Sequence, residues 1–222
     1  MLAVINNFNL LTWPRAMVEW MLKEPRLSVV IVDNASTFSP LLEWYKSCPV
    51  EVVRLKTNVG SGAPWSSGVV SHRYGKSPYI VTDPDLDLSG IPSDWLSVLE
   101  KGLSYPRISK CGFSLALDDL PDVPQREWAR HNQKNHWKPH PVATGYYDAG
   151  IDTTFALYIP DGPTRPGSNQ LRTMAPYTAR HLPWYVKPGE VPADLQWYAK
   201  NWSGRGSTMC RSFGGMFREN KA

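Results

Sequence analysis

The sequence predicts an α/β fold in which a mostly parallel central sheet lies between two layers of helices, a three-layer α/β/α sandwich. Over the first 87 residues, short apolar runs alternate with segments of helical periodicity in the order β-α-β-α-β-α-β. One run, LSVVIV at 27–32, is almost continuously β-branched, which is typical of a parallel strand covered on both faces. Polar residues follow each predicted strand, so they are expected to meet at one edge of the sheet.

The first half of the chain supplies most of the regular pattern. Met17, Trp20 and Met21 give the first helix an apolar face, and Pro14 lies near its first turn, where proline is tolerated. The predicted strands are 2–5, 27–32, 51–55 and 79–82, and the predicted helices are 12–23, 40–47 and 65–73.

The second half is predicted to be rich in loops. Nine prolines lie between Lys138 and Pro192, and long loops in a compact domain usually bind or cover a site. The Gly-rich, basic segment after Ser203 is expected to be a partly disordered tail. The predicted elements here are helices at 95–103, 126–137 and 194–201, and strands at 111–117 and 155–159.

Composition excludes several classes of protein. A net charge of +4 without a basic stripe disfavours a nucleic-acid binder. Cys48, Cys111 and Cys210 have no CxxC spacing, which argues against a cysteine zinc site and favours a reducing compartment. No apolar run approaches the roughly 20 residues of a membrane span, and the N-terminal segment lacks the basic start of a signal peptide. We therefore expect a soluble, cytoplasmic protein.

Two phosphate-binding fingerprints are absent. No GxGxxG follows the first predicted strand, which disfavours a dinucleotide-binding fold. Gly75-Lys76-Ser77 matches the end of a Walker A loop, but the required first glycine falls at Val70, and the stretch precedes a strand instead of following one.

The acidic stretch Asp83-Pro84-Asp85 carries the strongest chemical signal. It follows a buried strand, and ligands of open α/β sheets bind at the carboxyl ends of strands. Mg²⁺ takes one or two carboxylates together with substrate phosphates, and Pro84 stiffens the loop that holds both acids. The alternative is a helix cap in a solvated turn. Asp87, two residues further on, is expected to be solvated or structural.

The combination of these motifs resembles a known family. VIVDNAS on the second strand, NVG after the third and DPD after the fourth resemble a GT-A-type nucleotide-sugar glycosyltransferase with a DxD motif. The stretches KCGFSLALDDLP, GIDTTFALYIP and RTMAPYTARHLPWY are similar to small soluble proteins assigned as glycosyltransferases in chlorella viruses. The resemblance covers about residues 1–202 and implies a GT-A-like fold.

The resemblance also implies roles at the matching positions. The loop after the first strand and the acid after the second would hold the nucleobase and ribose, and the loop after the third would border the nucleotide or sugar. The alternatives are core packing for Phe8, a turn or helix cap for Asp33 and a tight turn for Asn58. The implied donor-binding residues are Asn6, Phe8, Asp33, Asn58 and Asp83.

Asp85 and His181 are the expected metal ligands. A late histidine in this family ligates the metal or contacts the diphosphate, and neutral imidazole is a good ligand. A structural histidine in a loop is the alternative for His181. His136 and His140 are weaker candidates, because Pro139 disrupts the helix that would align them. The expected cofactor is Mn²⁺ or Mg²⁺.

Asp152 is the candidate catalytic carboxylate. It would deprotonate the acceptor hydroxyl in an inverting reaction, or stabilise the sugar cation in a retaining one. A structural or donor-sugar-binding aspartate is the alternative. The other candidates that remain open are Asp118, Asp119 and Asp148 for catalysis, Arg172 and Arg180 for offsetting diphosphate charge, and Trp65, Trp137 and Trp184 for a sugar platform.

We therefore expect a single GT-A-like domain over 1–222, with a nucleotide-sugar-binding half (1–100), an acceptor half (101–202) and a tail (203–222). The expected activity moves a hexosyl unit from a nucleoside diphosphate sugar, a UDP-sugar by preference, to a hydroxyl of a glycan. No nucleic-acid partner and no membrane-spanning segment are expected. If the chain is viral, the host cytoplasm is its expected location. The alternatives are a sugar-1-phosphate nucleotidyltransferase and a non-catalytic carbohydrate-binding module.

Overall fold

The computed structural model describes residues 1–134 and 137–202, with the side chains of 134–142 excepted. The predicted tail and His136 lie outside the described residues, as do the side chains of Trp137 and His140. The described strands are β1 (Leu2–Asn7), β2 (Ser28–Asp33), β3 (Glu51–Arg54), β4 (Tyr79–Thr82), β5 (Leu86–Asp87), β6 (Lys110–Gly112), β7 (Ser114–Leu115), β8 (Trp137–Ala143), β9 (Tyr146–Ala149), β10 (Ala156–Tyr158), β11 (Gln170–Thr173) and β12 (Thr178–His181). The helices are α1 (Thr12–Met21), α2 (Ser39–Tyr45), α3 (Ala63–Ser66), α4 (Val69–Arg73), α5 (Trp95–Leu103), α6 (Arg126–Lys134) and α7 (Ala193–Asn201).

The first four strands to reach the central sheet are parallel, as the sequence predicts. They lie in the order β3-β2-β1-β4, and Val4 of β1 is in register with Val30 and Val81 on its two neighbours. Successive residues of each strand bury on opposite faces. On one face Ile5 and Ile31 pack with α1 and α5; on the other, residues such as Val4 and Val30 pack with α3 and α4. This two-sided core is the α/β/α sandwich that the β-branched runs predict.

The second half completes a mixed sheet of nine strands, in the order β3-β2-β1-β4-β10-β6-β11-β9-β8. β10 is antiparallel to both β4 and β6, and β9 is antiparallel to both β11 and β8. Because β6 and β11 are parallel to each other, seven of the nine strands run in one direction. The prediction of a mostly parallel sheet therefore holds for strand direction, whereas four of the eight neighbouring pairs are antiparallel.

Three sequence-based predictions of elements are wrong in detail. The predicted helix 126–137 ends at Lys134, and Trp137 begins β8. Much of the region from Lys138 to Pro192 is loop, as predicted, although it also holds the strands β8 to β12. Its prolines lie outside the strands or on β8, the edge strand, where a missing N–H is tolerated. The predicted helix 65–73 is two short helices separated by Gly68 at φ 78°. The predicted strand 111–117 is split into β6 and β7, which belong to different sheets.

A second, three-stranded sheet joins the acidic stretch to the late histidine. Its order is β5-β12-β7, and His181 is in register with Leu86, the residue after Asp85. The backbone N–H of Leu182 donates to the carbonyl of Asp85 at 2.9 Å. Residues almost 100 positions apart in the sequence are therefore held side by side by backbone pairing.

The last described helix is fastened to the first. The carboxylate of Asp194 on α7 accepts hydrogen bonds from the backbone N–H groups of Leu11 and Thr12, both at 2.9 Å, at the start of α1. Leu195 and Tyr198 of α7 pack with Leu10 in a small separate core. Within the described residues, none of the helices combines the length and apolar character needed to cross a bilayer.

Candidate functional site

A cavity of about 800 Å³ lies at the carboxyl ends of the parallel strands. Its walls come from both halves of the chain, which is where ligands bind in open α/β sheets. Seven of the eight residues predicted to form the site line this cavity, and Asp33 is the exception. Those that line it are Asn6, Phe8, Asn58, Asp83, Asp85, Asp152 and His181.

A network of asparagines builds the cavity wall beyond β1 and β2. Asn34 donates through Nδ2 to Asn6 Oδ1 at 2.7 Å and to the carbonyl of Gly60 at 2.9 Å, and its Oδ1 accepts from the N–H of Val59 at 3.1 Å. Asn58 caps the same turn, accepting from the N–H of Gly60 at 2.9 Å. No sequence pattern marks Asn34 as a site residue, although it directly follows Asp33 in the loop after β2.

Three aromatic rings form a neighbouring wall. The ring of Phe8 meets Tyr198 edge to face at 5.4 Å between centroids and Trp202 at 6.1 Å, and Tyr198 and Trp202 are stacked within 11° of parallel. Phe8 therefore packs in a small core, which is the alternative given for it, and it also lines the cavity. Tyr198 and Trp202 come from the C-terminal helix and its end, and no local motif marks them.

Asp33 is fully buried behind the cavity wall. Its carboxylate accepts a hydrogen bond from the hydroxyl of Tyr45 at 3.1 Å, from Nε of Arg54 at 3.2 Å and from the N–H of Ser36 at 3.2 Å. These contacts fix the loop after β2, which in turn fixes Asn34. The structure therefore gives Asp33 the structural alternative that the sequence left open, and it does not place the side chain on the cavity.

The two acids around Pro84 have different surroundings. Asp83 accepts a hydrogen bond from the hydroxyl of Thr153 at 2.6 Å. Burial raises the pKa of the Asp83 carboxyl well above its usual range, and the nearby carboxylate of Asp85 adds to the increase. Charge at this position is therefore unfavourable unless a cation is close by.

Asp85 is buried against His181. Its Oδ2 lies 3.4 Å from His181 Nε2, while Asp85 Oδ1 and His181 Nδ1 are buried and have no hydrogen-bond partner among the described residues. Buried polar atoms are rarely left unpaired in proteins, so each of these two atoms is a candidate contact for a ligand, an ion or water. In the described part of the chain, no three His, Cys, Asp or Glu side chains come together as a ready-made metal cage. Mg²⁺ commonly needs only one or two carboxylates, because water and phosphate complete its shell. The donor set fits such a cation.

Asp152 lies in a loop that a buried row of polar side chains holds in place. Lys110, Gln170 and Arg172 have no exposed surface. Lys110 Nζ donates to the carbonyl of Ile151 at 2.7 Å, Gln170 Oε1 accepts from the N–H of the same residue at 2.7 Å, and Arg172 Nε donates to Gly150 at 3.0 Å. The first two residues of the 150–154 loop, Gly150 and Ile151, are thus held by side chains of β6 and β11.

The electrostatics of this loop keep Asp152 ionised. Burial acts to raise its pKa, but the charge of Arg172 and hydrogen bonds from the N–H and hydroxyl of Thr154 together lower it below its usual range. Burial also lowers the pKa of Lys110 to about 8. No carboxylate pairs with the Lys110 amine at 4.0 Å or less in the part of the chain described.

The other candidates separate clearly by position. Asp118, Asp119, Asp148, Arg172 and Arg180 do not line the cavity, whereas Trp65 and Trp184 do. Arg180 pairs with Asp119 at 2.5 Å and with Asp87 at 3.6 Å, which gives Asp87 the structural role expected for it. Arg165, which the sequence did not single out, is the only lysine or arginine among the described lining residues.

Comparison with known proteins adds little at the level of sequence. Neither a protein-family model nor a curated protein matches the chain. Among solved structures, it aligns with a crystal structure from Bacillus anthracis of a protein provisionally named a glucose-1-phosphate thymidylyltransferase, in complex with sucrose. That match has a TM-score of 0.37 and 9% identity, covering 99% of this chain and 84% of the other. Similarity at this level identifies neither a function nor a site residue.

Proposed function

We propose that the protein is a metal-dependent glycosyltransferase that moves a hexosyl unit from a nucleoside diphosphate sugar, by preference a UDP-sugar, to a hydroxyl of a carbohydrate acceptor. The observation that carries this proposal is the buried pair Asp85 and His181, each with an unpartnered polar atom, in an 800 Å³ cavity at the carboxyl ends of parallel strands. A cavity of this volume is in the range of small-molecule sites, and its lining includes the acids Asp83, Asp85 and Asp152.

The charge of the cavity supports a requirement for a cation. Its described lining carries the acids Asp83, Asp85 and Asp152 against one guanidinium, that of Arg165, and burial beside Asp85 makes charge on Asp83 unfavourable unless a cation is close by. A diphosphate brought to this lining would be repelled. A divalent cation held by Asp85 and His181 would offset the phosphate charge and stabilise the departing diphosphate as a Lewis acid.

The chain's own residues divide the remaining work. The asparagine network and the rings of Phe8, Tyr198 and Trp202 would bind the nucleoside, through hydrogen bonds and apolar contact. Asp83 would contact the ribose or a water of the cation. Asp152, ionised at neutral pH, would take the proton of the acceptor hydroxyl or stabilise positive charge on the sugar.

The test is a search for products with and without metal. The purified protein is incubated with UDP-glucose, UDP-galactose or UDP-N-acetylglucosamine, with Mn²⁺ or Mg²⁺, and with a panel of simple saccharide acceptors. We expect release of UDP, suppressed by EDTA and restored by excess Mn²⁺. Pyrophosphate as the product would instead indicate nucleotidyl transfer. Saccharide binding without metal-dependent nucleotide binding or turnover would overturn the proposal in favour of a binding module.

A further inference from the structure

One wall of the cavity is not explained by a nucleotide or a cation. It is built by Gln133 on α6, Trp184 after β12 and Leu115 on β7, all of which line the cavity. Gln133 is bonded to Arg172 on β11, which lies beyond β4 on the side opposite β1 and β2 in the strand order. This wall is therefore separated from the asparagine network by the acidic centre, where the sugar of a nucleotide sugar would be expected.

The orientation of the Gln133 amide is fixed by its neighbour. Arg172 Nη1 donates to Gln133 Oε1 at 2.9 Å, and Arg172 is itself held by the carbonyl of Gly150 at 3.0 Å. A guanidinium has no acceptor, so the oxygen of the amide faces it and the amide nitrogen takes the remaining position. Gln133 is 2% exposed, and its Nε2 has no hydrogen-bond partner among the described residues.

Trp184 repeats this pattern. It is 2% exposed, and its Nε1 is likewise buried without a partner among the described residues. Its ring lies 4.6 Å from the ring of His181, between centroids, which places it next to the acidic centre. The wall thus holds two buried neutral N–H donors without described partners, on side chains that line the cavity together with the apolar Leu115.

This chemistry suits an uncharged, hydroxylated ring. Hydroxyl oxygens accept from neutral N–H donors, and the C–H face of a pyranose packs against indole and leucine. A carboxylate or phosphate would favour charged donors instead. The charged neighbour Arg172, whose Nη2 is also without a partner among the described residues, does not line the cavity.

We propose that Gln133 and Trp184 form the subsite for the hexose ring of the donor, with Gln133 Nε2 donating to one ring hydroxyl and Arg172 holding the amide in place. This inference rests on the proposed function, and it assigns Gln133 as a residue that determines which sugar is accepted.

The experiment separates the sugar subsite from the nucleotide site. Dissociation constants are measured in Mn²⁺ for UDP and for UDP-glucose, UDP-galactose and UDP-N-acetylglucosamine, and the ratio of the UDP constant to the UDP-sugar constant gives the contribution of the sugar. For the best sugar, Gln133→Met is expected to reduce this ratio about 3- to 10-fold, the range for loss of one neutral hydrogen bond. The constant for UDP itself is expected to stay unchanged.

Gln133→Glu provides a second test of the subsite, and Glu127→Gln is its control. Gln133→Glu keeps an oxygen for Arg172 and so protects the fold, while it replaces the N–H donor; it is expected to lower the ratio as well. Glu127→Gln changes one charge on the exposed side of the same helix, where the Glu127 side chain is 82% exposed, and is expected to change nothing. Removing the matching ring hydroxyl from the UDP-sugar should weaken binding to the wild type and not to Gln133→Met.

The binding constants distinguish failure of the proposed function from failure of the sugar subsite. If UDP does not bind in Mn²⁺, the proposed function itself fails. If UDP binds but the sugar ratio is the same in wild type, Gln133→Met and Gln133→Glu, the subsite is wrong. A loss of affinity for a free saccharide acceptor, with the UDP-sugar ratio intact, would also overturn it, since Gln133 would then serve the acceptor.

Discussion

Among the acids that line the cavity, Asp85 is the one with a buried carboxylate oxygen that has no hydrogen-bond partner among the described residues. The residue is 3% exposed, and its carboxylate contacts His181. Asp83, two residues earlier, is instead satisfied by the hydroxyl of Thr153. A buried carboxylate oxygen without a partner is costly for folding, so its retention here argues for a ligand that completes it.

Asp85→Asn is therefore expected to reduce metal-dependent UDP release by on the order of 100-fold or more, the scale for losing one electrostatic contact to developing charge. The amide has nearly the same shape, and the backbone bond from Leu182 to residue 85 is unaffected, so the fold should remain intact. The measurements are initial rates across a Mn²⁺ titration, together with circular dichroism and thermal unfolding.

Asp87→Asn is the matched control for this substitution. It is the same change two residues away, at an acid that pairs with Arg180 and does not line the cavity. Its rate should stay close to that of the wild type. An Asp85→Asn protein with wild-type rates would remove the metal role from this residue.

At the scale of secondary-structure elements, the loop that carries Asp152 is held by side chains of two neighbouring strands, β6 and β11. β6 and β11 are neighbours in register, with Lys110 opposite Gln170. Both residues reach the backbone of the same loop residue, Ile151, and Lys110 also lies 3.4 Å from the carbonyls of Asp152 and Thr164. Buried polar side chains on two strands thus replace the regular ladder that the loop lacks.

The buried amine of Lys110 makes stability depend on pH in a direction that can be measured. Its pKa falls from the ordinary 10.5 to about 8 because burial disfavours the charged amine; Asp152 acts in the opposite direction, and Arg172 offsets part of that effect. Between pH 8 and 10.5 the unfolded chain binds this proton and the folded chain does not. The free energy of unfolding should therefore rise with pH through that window, by about 2 kcal/mol between pH 7 and 9.5.

The comparison with Lys110→Met isolates this contribution. The variant lacks the amine, so it should be less stable overall but should not show the rise. Denaturant titrations at several pH values between 7 and 9.5 give the difference between the two proteins, and Lys101→Met, at an exposed lysine on α5, should follow the wild type. If the free energy of unfolding depends on pH in the same way in wild type and Lys110→Met, protonation of the amine is not linked to folding.

At the scale of the whole molecule, the parallel half and the position of the cavity follow from the sequence, because local patterns encode them. β-branched runs, helical spacing and polar strand ends predict β1 to β4, and with them Asn6, Asn58, Asp83 and Asp85 at one edge. The sequence alone also favours Asp152 and His181, through the resemblance to a family.

The parts that could not be predicted depend on long-range pairing. β5 and β7 have two residues each, too few for a periodic signal, yet their pairing with β12 brings His181 to Asp85. Gln133, Arg165, Tyr198 and Trp202 reach the cavity through the packing of distant elements, and Asn34 depends on the loop that Asp33 fixes. Asp33 itself has the composition of a ligand and the contacts of a structural residue, and only its three-dimensional surroundings separate the two.

The closure of the molecule by α7 gives a prediction at this largest scale. Asp194 is 4% exposed and caps the start of α1 through two backbone N–H groups, so Asp194→Ala should lower the free energy of unfolding by about 1–3 kcal/mol. Because Tyr198 and Trp202 follow on the same segment, the nucleoside wall should loosen as well, and affinity for UDP in Mn²⁺ should fall.

Denaturant unfolding and UDP titration measure these two effects. Asp122→Ala, at a side chain that is fully exposed, is the control and should change neither. The sugar ratio defined for Gln133 should stay the same in Asp194→Ala, because Gln133 and Trp184 belong to the opposite wall. Reduced stability with unchanged UDP affinity would show that α7 closes the fold without forming the nucleoside site.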